Sequence, residues 1–374
     1  MVATLPLHIA ISARALSLPF GGVREYVGAL LRELLALDTP HRFTLYYADP
    51  ALVGSHPRAT EVVLRAPHKF FWDHTVLPLR LHSDRPNVLW FPHNVISVGC
   101  QVPAVLTIYD MLYFRVPEFP QREYAWPDTL YMRAFIPPSL RKAHSIATIS
   151  QWTAHDIVRL VGVSCEKISV IYPAPGPACH QIAAADSLAV RAKYGLARPF
   201  FFYAGILSAR KNVRLLVEAF GQACNDLPHD LVLTAGRGYI ETPYTDLVAH
   251  YGIEGRIRRL GLVPKEDLVA LYNQAEAFVF PSRYEGFGIP PLEAMACGCP
   301  VISSNATSLA EVVGDAALTF SPDDAGTLAR HMRAVAGDQG LRERLARAGL
   351  AQAQQFSYAH SARQLLALLE AAAG

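Results

Sequence analysis

The stretch that decides the fold is Pro281-Ser-Arg-Tyr-Glu-Gly-Phe-Gly-Ile-Pro-Pro-Leu-Glu-Ala-Met-Ala-Cys-Gly298. It follows an apolar run, Ala277-Phe-Val-Phe280, whose length and proline stop predict a buried parallel strand. Pro290 and Pro291 suit the first turn of a helix, where a missing N–H costs nothing. Gly298 suits the C′ position, which favours a left-handed backbone. Glu285 therefore falls in the loop after a strand, and Glu293 is expected in the first helical turn. In open α/β sheets that crevice, outside the carboxyl ends of the strands, is where ligands bind.

The flanking chain alternates in the same way. Pro199-Phe-Phe-Phe-Tyr-Ala-Gly205 reads as a strand, followed by Arg210-Lys211 and a helix through Phe220. Leu231 to Gly236 and Arg256 to Leu260 read as further strands. Asp324 to Gln355, rich in Ala, Arg and Leu, reads as helical, and a last helix runs from Phe356 to about Ala373. Repeated strand and helix predict a doubly wound parallel sheet. Pro173-Ala-Pro-Gly-Pro177 is the clearest linker in the chain. The expected division is 1–173, 174–355 and a terminal helix 356–374.

Before the linker, Leu7 to Ile11 predicts the first strand. Gly21-Gly22 follows, then a helix from Val23 to Leu37, with apolar residues at three- and four-residue spacing. Phe43 to Ala48, Glu61 to Leu64, Asn87 to Pro92 and Ala104 to Tyr109 predict strands. Residues 113–128, rich in proline and aromatics, read as a long loop. Next come a helix at 129–142 disturbed by Pro137-Pro138, a strand from Ser145 to Ile149, a helix capped by Ser150, and a strand from Lys167 to Tyr172.

Composition limits the function. The 374 residues are 51% apolar and 18% charged with a net charge of +2, which fits a globular chain and not a general nucleic-acid binder. Residues 1–175 hold 16 Lys and Arg against 13 Asp and Glu, a mild basic bias. Cys100, Cys165, Cys179, Cys224, Cys297 and Cys299 form no CxxC pair, so reduced thiols are expected. No secretory leader is read at Met1, and no apolar run reaches the ~18–20 residues of a membrane span. A cytoplasmic protein is expected, with peripheral contact at the inner face of a membrane left open.

Glu-Gly-Phe-Gly-x-Pro-x-Leu-Glu resembles the paired-glutamate motif of retaining GT-B glycosyltransferases of family GT4. The likeness continues through Pro300-Val-Ile-Ser-Ser-Asn305 and Ser308-Leu-Ala-Glu-Val-Val-Gly-Asp315. It extends to the mannosyl- and rhamnosyl-transferases of bacterial surface polysaccharide assembly. The resemblance implies a GT-B fold, two Rossmann-like domains facing across a cleft, with the last helix crossing back to the first. It implies transfer of a hexosyl group, first guess mannose from GDP-mannose, from a nucleotide diphosphate sugar to a glycan, lipid-linked or small-molecule acceptor. Arg210 and Lys211 match the family's phosphate site. Gly21 and Gly22 match its glycine pair near the donor phosphates. Val263 lies in the loop whose backbone reads the base. Glu285 and the N–H groups of Gly286, Phe287 and Gly288 would face the sugar, and Glu293 the ribose. The family often ends its fifth strand in His-Asp; here Tyr109-Asp110 stands, which makes Asp110 the candidate at that strand end and His93 a weaker one. A loop cap is an equal reading of Asp110.

Metal-dependent transferases of another fold hold their metal with Asp-x-Asp, and none occurs here. The expectation is therefore no metal and no cofactor, with cations and helix N-termini stabilising the leaving group. Three other classes stay open: a sugar-nucleotide epimerase of the same architecture, a dehydrogenase disfavoured by the missing GxGxxG, and a non-catalytic nucleotide-sugar-binding protein.

Overall fold

A computed structural model describes residues 5–18, 21–115, 125–235 and 243–374. The chain forms two compact units. Of the described residues, one holds the chain through Phe114, Ala125–Pro173 and Ser357–Gly374; the other holds Arg115 and Ala174–Phe356.

In chain order the first unit comprises β1 (His8–Ser12), α1 (Gly22–Ala36), β2 (Arg42–Tyr47), β3 (Thr60–Val63), α2 (Lys69–Phe71), α3 (Leu77–Asp84), β4 (Val88–Phe91), β5 (Ala104–Ile108), α4 (Trp126–Lys142), β6 (Ser145–Thr148), α5 (Gln151–Val161) and β7 (Ile168–Val170). The second comprises α6 (Ala184–Lys193), β8 (Phe200–Ala204), α7 (Val213–Ala223), β9 (Asp230–Thr234), α8 (Thr245–Tyr251), β10 (Ile257–Gly261), α9 (Lys265–Gln274), β11 (Ala277–Phe280), α10 (Ile289–Ala296), β12 (Val301–Ser304), α11 (Leu309–Val313), β13 (Leu318–Phe320), α12 (Ala325–Gly337) and α13 (Gln339–Ala353). The last helix, α14 (Tyr358–Ala373), belongs to the first unit.

Both sheets are parallel throughout. Their orders are β3-β2-β1-β4-β5-β6-β7 and β10-β9-β8-β11-β12-β13. Each reverses direction once, between β1 and β4 in the first sheet and between β8 and β11 in the second. The central strands are apolar on both faces because helices cover both: Phe200, Phe201, Phe202 and Phe278 are completely buried. Phe202 pairs with Phe278, and Phe278 with Val301, which sets the register around the site.

Helix α14 turns a buried stripe of Ala362, Leu365, Leu369 and Ala372 inward. Ser361 Oγ donates to the Tyr172 carbonyl at 2.7 Å, and His41 meets Glu370 at 2.8 Å. Ser357 caps its first turn.

Several local expectations are refined or changed. The helical region 324–355 divides in two, because Asp338 ends one helix and caps the next through Leu341 N–H. Helix α4 starts at Trp126, three residues early, with Pro127 at its first turn, and it continues through Pro137-Pro138. The helical segment 69–84, with a π turn over Trp72–Val76, and helices α6 and α8 carry too weak an apolar period to be read from sequence. Much of the loop at 113–128 and the predicted strand end at Gly236 lie outside the described residues.

Candidate active site

In the second sheet the switch point lies between β8 and β11. The chain leaving β8 makes a short turn at Ala209–Lys211, then enters α7 through Asn212, whose φ of 58° lets the helix begin abruptly. The chain leaving β11 runs through Glu285 into α10. The two loops meet. Lys211 Nζ donates to Glu285 Oε1 at 2.6 Å, and Arg210 Nη1 donates to Glu285 Oε2 at 3.2 Å. Arg210 Nη1 also donates to the Tyr284 carbonyl at 2.8 Å, while Arg283 N–H donates to the Arg210 carbonyl at 2.8 Å. Asn212 Nδ2 ties the same loops by donating to the carbonyls of Pro281 and Pro322. Lys211 lies 4.9 Å from the Phe280 ring centroid, so the strand end supplies a second partner for the cation.

Lys211 and Glu285 are 9% and 8% exposed, so the cluster is desolvated and its charges interact strongly. Burial pushes the Glu285 carboxyl up, but Lys211 and then Arg210 outweigh burial and hold it below the usual carboxylate range. Two cations share one carboxylate, which leaves the cluster with a net positive charge.

The turn after Glu285 is fixed from behind. Ser308 Oγ reaches the carbonyls of Glu285 and Phe287 at 2.9 and 2.8 Å. Thr307 Oγ1 accepts from the Glu285 N–H at 3.0 Å. Phe287 is 2% exposed and its ring packs edge-on against Phe356, so only its backbone can serve a ligand. Gly288 has φ +110°, and a Cβ there would lie 2.5 Å from Leu309 Cδ2. The residues that sequence reasoning missed are Thr307, Ser308 and Asn212. The Ser308 stretch carries family likeness, but nothing in it signals a hydrogen bond to a loop 21 residues earlier.

Glu293 is half-buried and is the fifth residue of α10, hence in the second helical turn and not the first, because the helix begins at Ile289. Its charge is felt at Cys179 and Tyr272. The Cys297 hydrogen bond, burial and Glu293 together push the Cys179 thiol up. Val263 is half-buried in the loop after β10, beside the exposed Leu262. All six cysteines are free, and Cys297 and Cys299 are buried.

The remaining candidates lie in the first unit. Gly21 caps α1 with φ 118°, and Gly22 is that helix's first residue. Asp110 Oδ1 accepts from Leu112 N–H at 2.9 Å, capping the turn after β5. Tyr109, which stands at the family's histidine position, turns inward: its hydroxyl donates to the Pro92 carbonyl at 2.8 Å and its ring packs edge-on to Tyr26. His93 follows β4 at the first sheet's own switch point, bonded to Ser12 Oγ at 2.7 Å. Burial and then Arg14 push its imidazole pKa well down. Among the described residues no three His, Cys, Asp or Glu side chains converge as metal ligands would.

A parallel sheet with an Arg-Lys pair after one strand and a carboxylate after its neighbour across the switch point is where comparison with known proteins becomes informative. Residues 189–352 match the family described as Glycosyl transferases group 1, and residues 20–174 match Glycosyltransferase Family 4. The O-antigen chain mannosyltransferase B of Escherichia coli is 38% identical over 266 residues, spanning 70% of this chain and 69% of that one. The chain belongs to the family 4, group 1 glycosyltransferases. It is an enzyme of that class. The E. coli serotype-specific mannosyltransferase WbdA is 32% identical over 228 residues, 59% of this chain and 28% of that larger protein. Among solved structures, Anabaena HepE in complex with UDP-glucose superposes with TM-score 0.77 at 19% identity, covering 98% of this chain and all of that one. Sucrose-phosphate synthase from Thermosynechococcus elongatus gives 0.76 at 20%, covering 97% and 98%. At those identities the likeness concerns the fold, and the fold of this glycosyltransferase is GT-B.

Proposed function

We propose that this glycosyltransferase moves a hexosyl group, mannose from GDP-mannose as the first choice, onto a glycan or lipid-linked acceptor in the assembly of a surface polysaccharide, with retention at the anomeric carbon. The observation that carries the reading is the buried cluster of Arg210, Lys211 and Glu285 at the β8/β11 switch point. The choice of sugar is supported by the 38% likeness to a protein named as an O-antigen chain mannosyltransferase.

The reaction breaks the bond from the anomeric carbon to a phosphate oxygen and forms one to an acceptor hydroxyl oxygen, whose proton passes to the departing phosphate. Negative charge grows on the departing diphosphate. Arg210 and Lys211 meet that charge with fixed donors in a water-poor site, and no metal is needed for the role. As the diphosphate arrives, the cations share themselves between it and Glu285. The carboxylate then faces the sugar, whose ring gains positive charge as the bond breaks. Glu293 holds the ribose hydroxyls, and the Val263 loop receives the base. On the first unit, the glycine pair and Asp110 lie at the open ends of β1 and β5. Closure that excludes water would protect the donor from hydrolysis.

The test is a thermal-shift screen of nucleotide sugars followed by a transfer assay with the preferred one. A ligand at 100 times its Kd should stabilise by roughly 2.7 kcal/mol. The expected result is a shift with GDP-mannose, and nucleotide release that depends on added acceptor. Donor consumption without an acceptor, giving an isomeric sugar nucleotide, would indicate the epimerase.

A further inference from the structure

Tyr272, on α9, is 1% exposed, and among the described residues nothing accepts a hydrogen bond from its hydroxyl. Other buried tyrosines of this chain spend theirs. Tyr26, Tyr109 and Tyr203 donate to carbonyls, and Tyr47 donates to Glu61. A buried hydroxyl without a partner costs stability, and each one in a native fold calls for a reason. Local rules broken in this way gather at functional sites.

The hydroxyl is held in place by what surrounds the ring. Tyr272 packs edge-on against Phe202 of β8 and Phe278 of β11, with ring centroids 5.4 and 5.2 Å apart. The next residue, Asn273, accepts from Ile182 N–H at 3.0 Å and donates to the His180 carbonyl at 3.1 Å. That ties α9 to the segment carrying Cys179. The same segment lies on the end of α10, where a Cβ on Gly298 would meet Gln181 Nε2 at 2.6 Å. Cys297 N–H, in that last turn, donates to the Glu293 carbonyl at 3.1 Å. The hydroxyl therefore sits where α9, α10 and the Cys179 segment meet. Of the groups around it, Glu293 acts on it most strongly, ahead of the thiols of Cys179, Cys297 and Cys299. Burial and then Glu293 push the phenol well above its ordinary range, so it keeps its proton and stays a donor. Thiols accept hydrogen bonds weakly; a carboxylate accepts strongly, with about four lone-pair sites on two oxygens.

We propose that Tyr272 is a positioning residue for Glu293: when the nucleotide binds, its hydroxyl donates to the Glu293 carboxylate and fixes the oxygens that take the ribose hydroxyls. The inference rests on the ribose reading of Glu293 under Proposed function. The free chain forgoes this bond and the complex makes it, so the hydroxyl adds to affinity and not to the stability of the free protein. A tyrosine kept for packing alone behaves differently, because phenylalanine would then serve equally.

Tyr272→Phe removes one oxygen and tests this in the full chain, by titration calorimetry with GDP, steady-state rates and urea unfolding. The expected result is a fall in GDP affinity of about tenfold, or ~1.4 kcal/mol. Donor KM should rise as much with kcat little changed, and the urea midpoint without ligand should be no lower than wild type. Tyr272→Phe added to Glu293→Ala should weaken GDP no further than Glu293→Ala alone, because the hydroxyl acts only through that carboxylate. Unchanged GDP affinity in Tyr272→Phe, or losses that add in the double variant, overturn the proposal. So does a lowered urea midpoint, which would mean that the hydroxyl is already bonded in the free chain. If Glu293→Ala itself binds GDP like wild type, the ribose reading and this inference fall together. A wild-type affinity in Tyr272→Phe beside a weakened Glu293→Ala removes this inference alone.

Discussion

Lys211 and Glu285, 74 residues apart, hold each other at 2.6 Å where both are nearly enclosed. The pairing makes the cation and the carboxylate one electrostatic unit before any ligand arrives. Removing either therefore changes the other's behaviour.

Glu285→Gln keeps the shape and removes the charge. Lys211 and Arg210 then lose their shared carboxylate, and buried positive charge that has lost its counter-charge attracts an anion more strongly. The nucleoside diphosphate should bind more tightly, by about tenfold, or ~1.4 kcal/mol. Turnover should fall by about 10²–10³, since the developing positive charge on the sugar loses its carboxylate. Titration calorimetry and steady-state rates together check this; an affinity that falls with kcat would place Glu285 on the nucleotide.

The same carboxyl gives the stability a pH dependence. Its folded pKa lies below the ordinary 4.5. Such a group contributes stability above its unfolded value and loses it as the pH falls through the folded value. The difference in urea midpoint between wild type and Glu285→Gln should be constant above about pH 5 and shrink steadily below it. A difference that grows on acidification would mean a raised pKa.

Glu293 should act on affinity. The ribose keeps its shape and charge through the reaction, so a contact to it is equal in ground and transition states. Glu293→Ala should raise donor KM with kcat little changed, and should weaken free nucleoside diphosphate binding. A variant with normal KM and slow turnover would reverse the assignment of the two glutamates.

Gly288→Ala should destabilise by ~1–3 kcal/mol, because φ +110° is a region alanine avoids and its Cβ would meet Leu309. Gly255, with open space around it, is the control. Equal urea midpoints for the two variants would show that the turn can relax.

Punctuation made the strand-loop-helix around Glu285 legible. Pro281, the Pro290-Pro291 pair and Gly298, with φ +72°, stand where a strand stops, a helix opens and a helix closes. The glutamate-cation contact was not legible, because it needs β8 beside β11, a pairing across some seventy residues that no local pattern encodes. Ser308 and Thr307 escaped for the same reason. Glu293 falls one residue later in its helix than expected, just past the first turn, because two prolines do not say which residue precedes them. Asp110 remained two-valued: its carboxylate caps Leu112 N–H, as a short polar residue at a strand end commonly does. Tyr109 could not be read at all from its letter, since only burial shows it bracing Pro92 from within.

The central claim is that the Arg210-Lys211 pair holds the donor's diphosphate without a metal. Titration calorimetry of GDP into the full chain in EDTA, beside the Lys211→Ala variant, tests it most directly. The account predicts that wild type binds equally with and without added Mg²⁺ or Mn²⁺, and that Lys211→Ala loses about 10²-fold or more in affinity, near 3 kcal/mol, as expected for a desolvated charge-assisted contact. Binding that vanishes in EDTA and returns with the metal, or a Lys211→Ala variant with wild-type affinity, would contradict it.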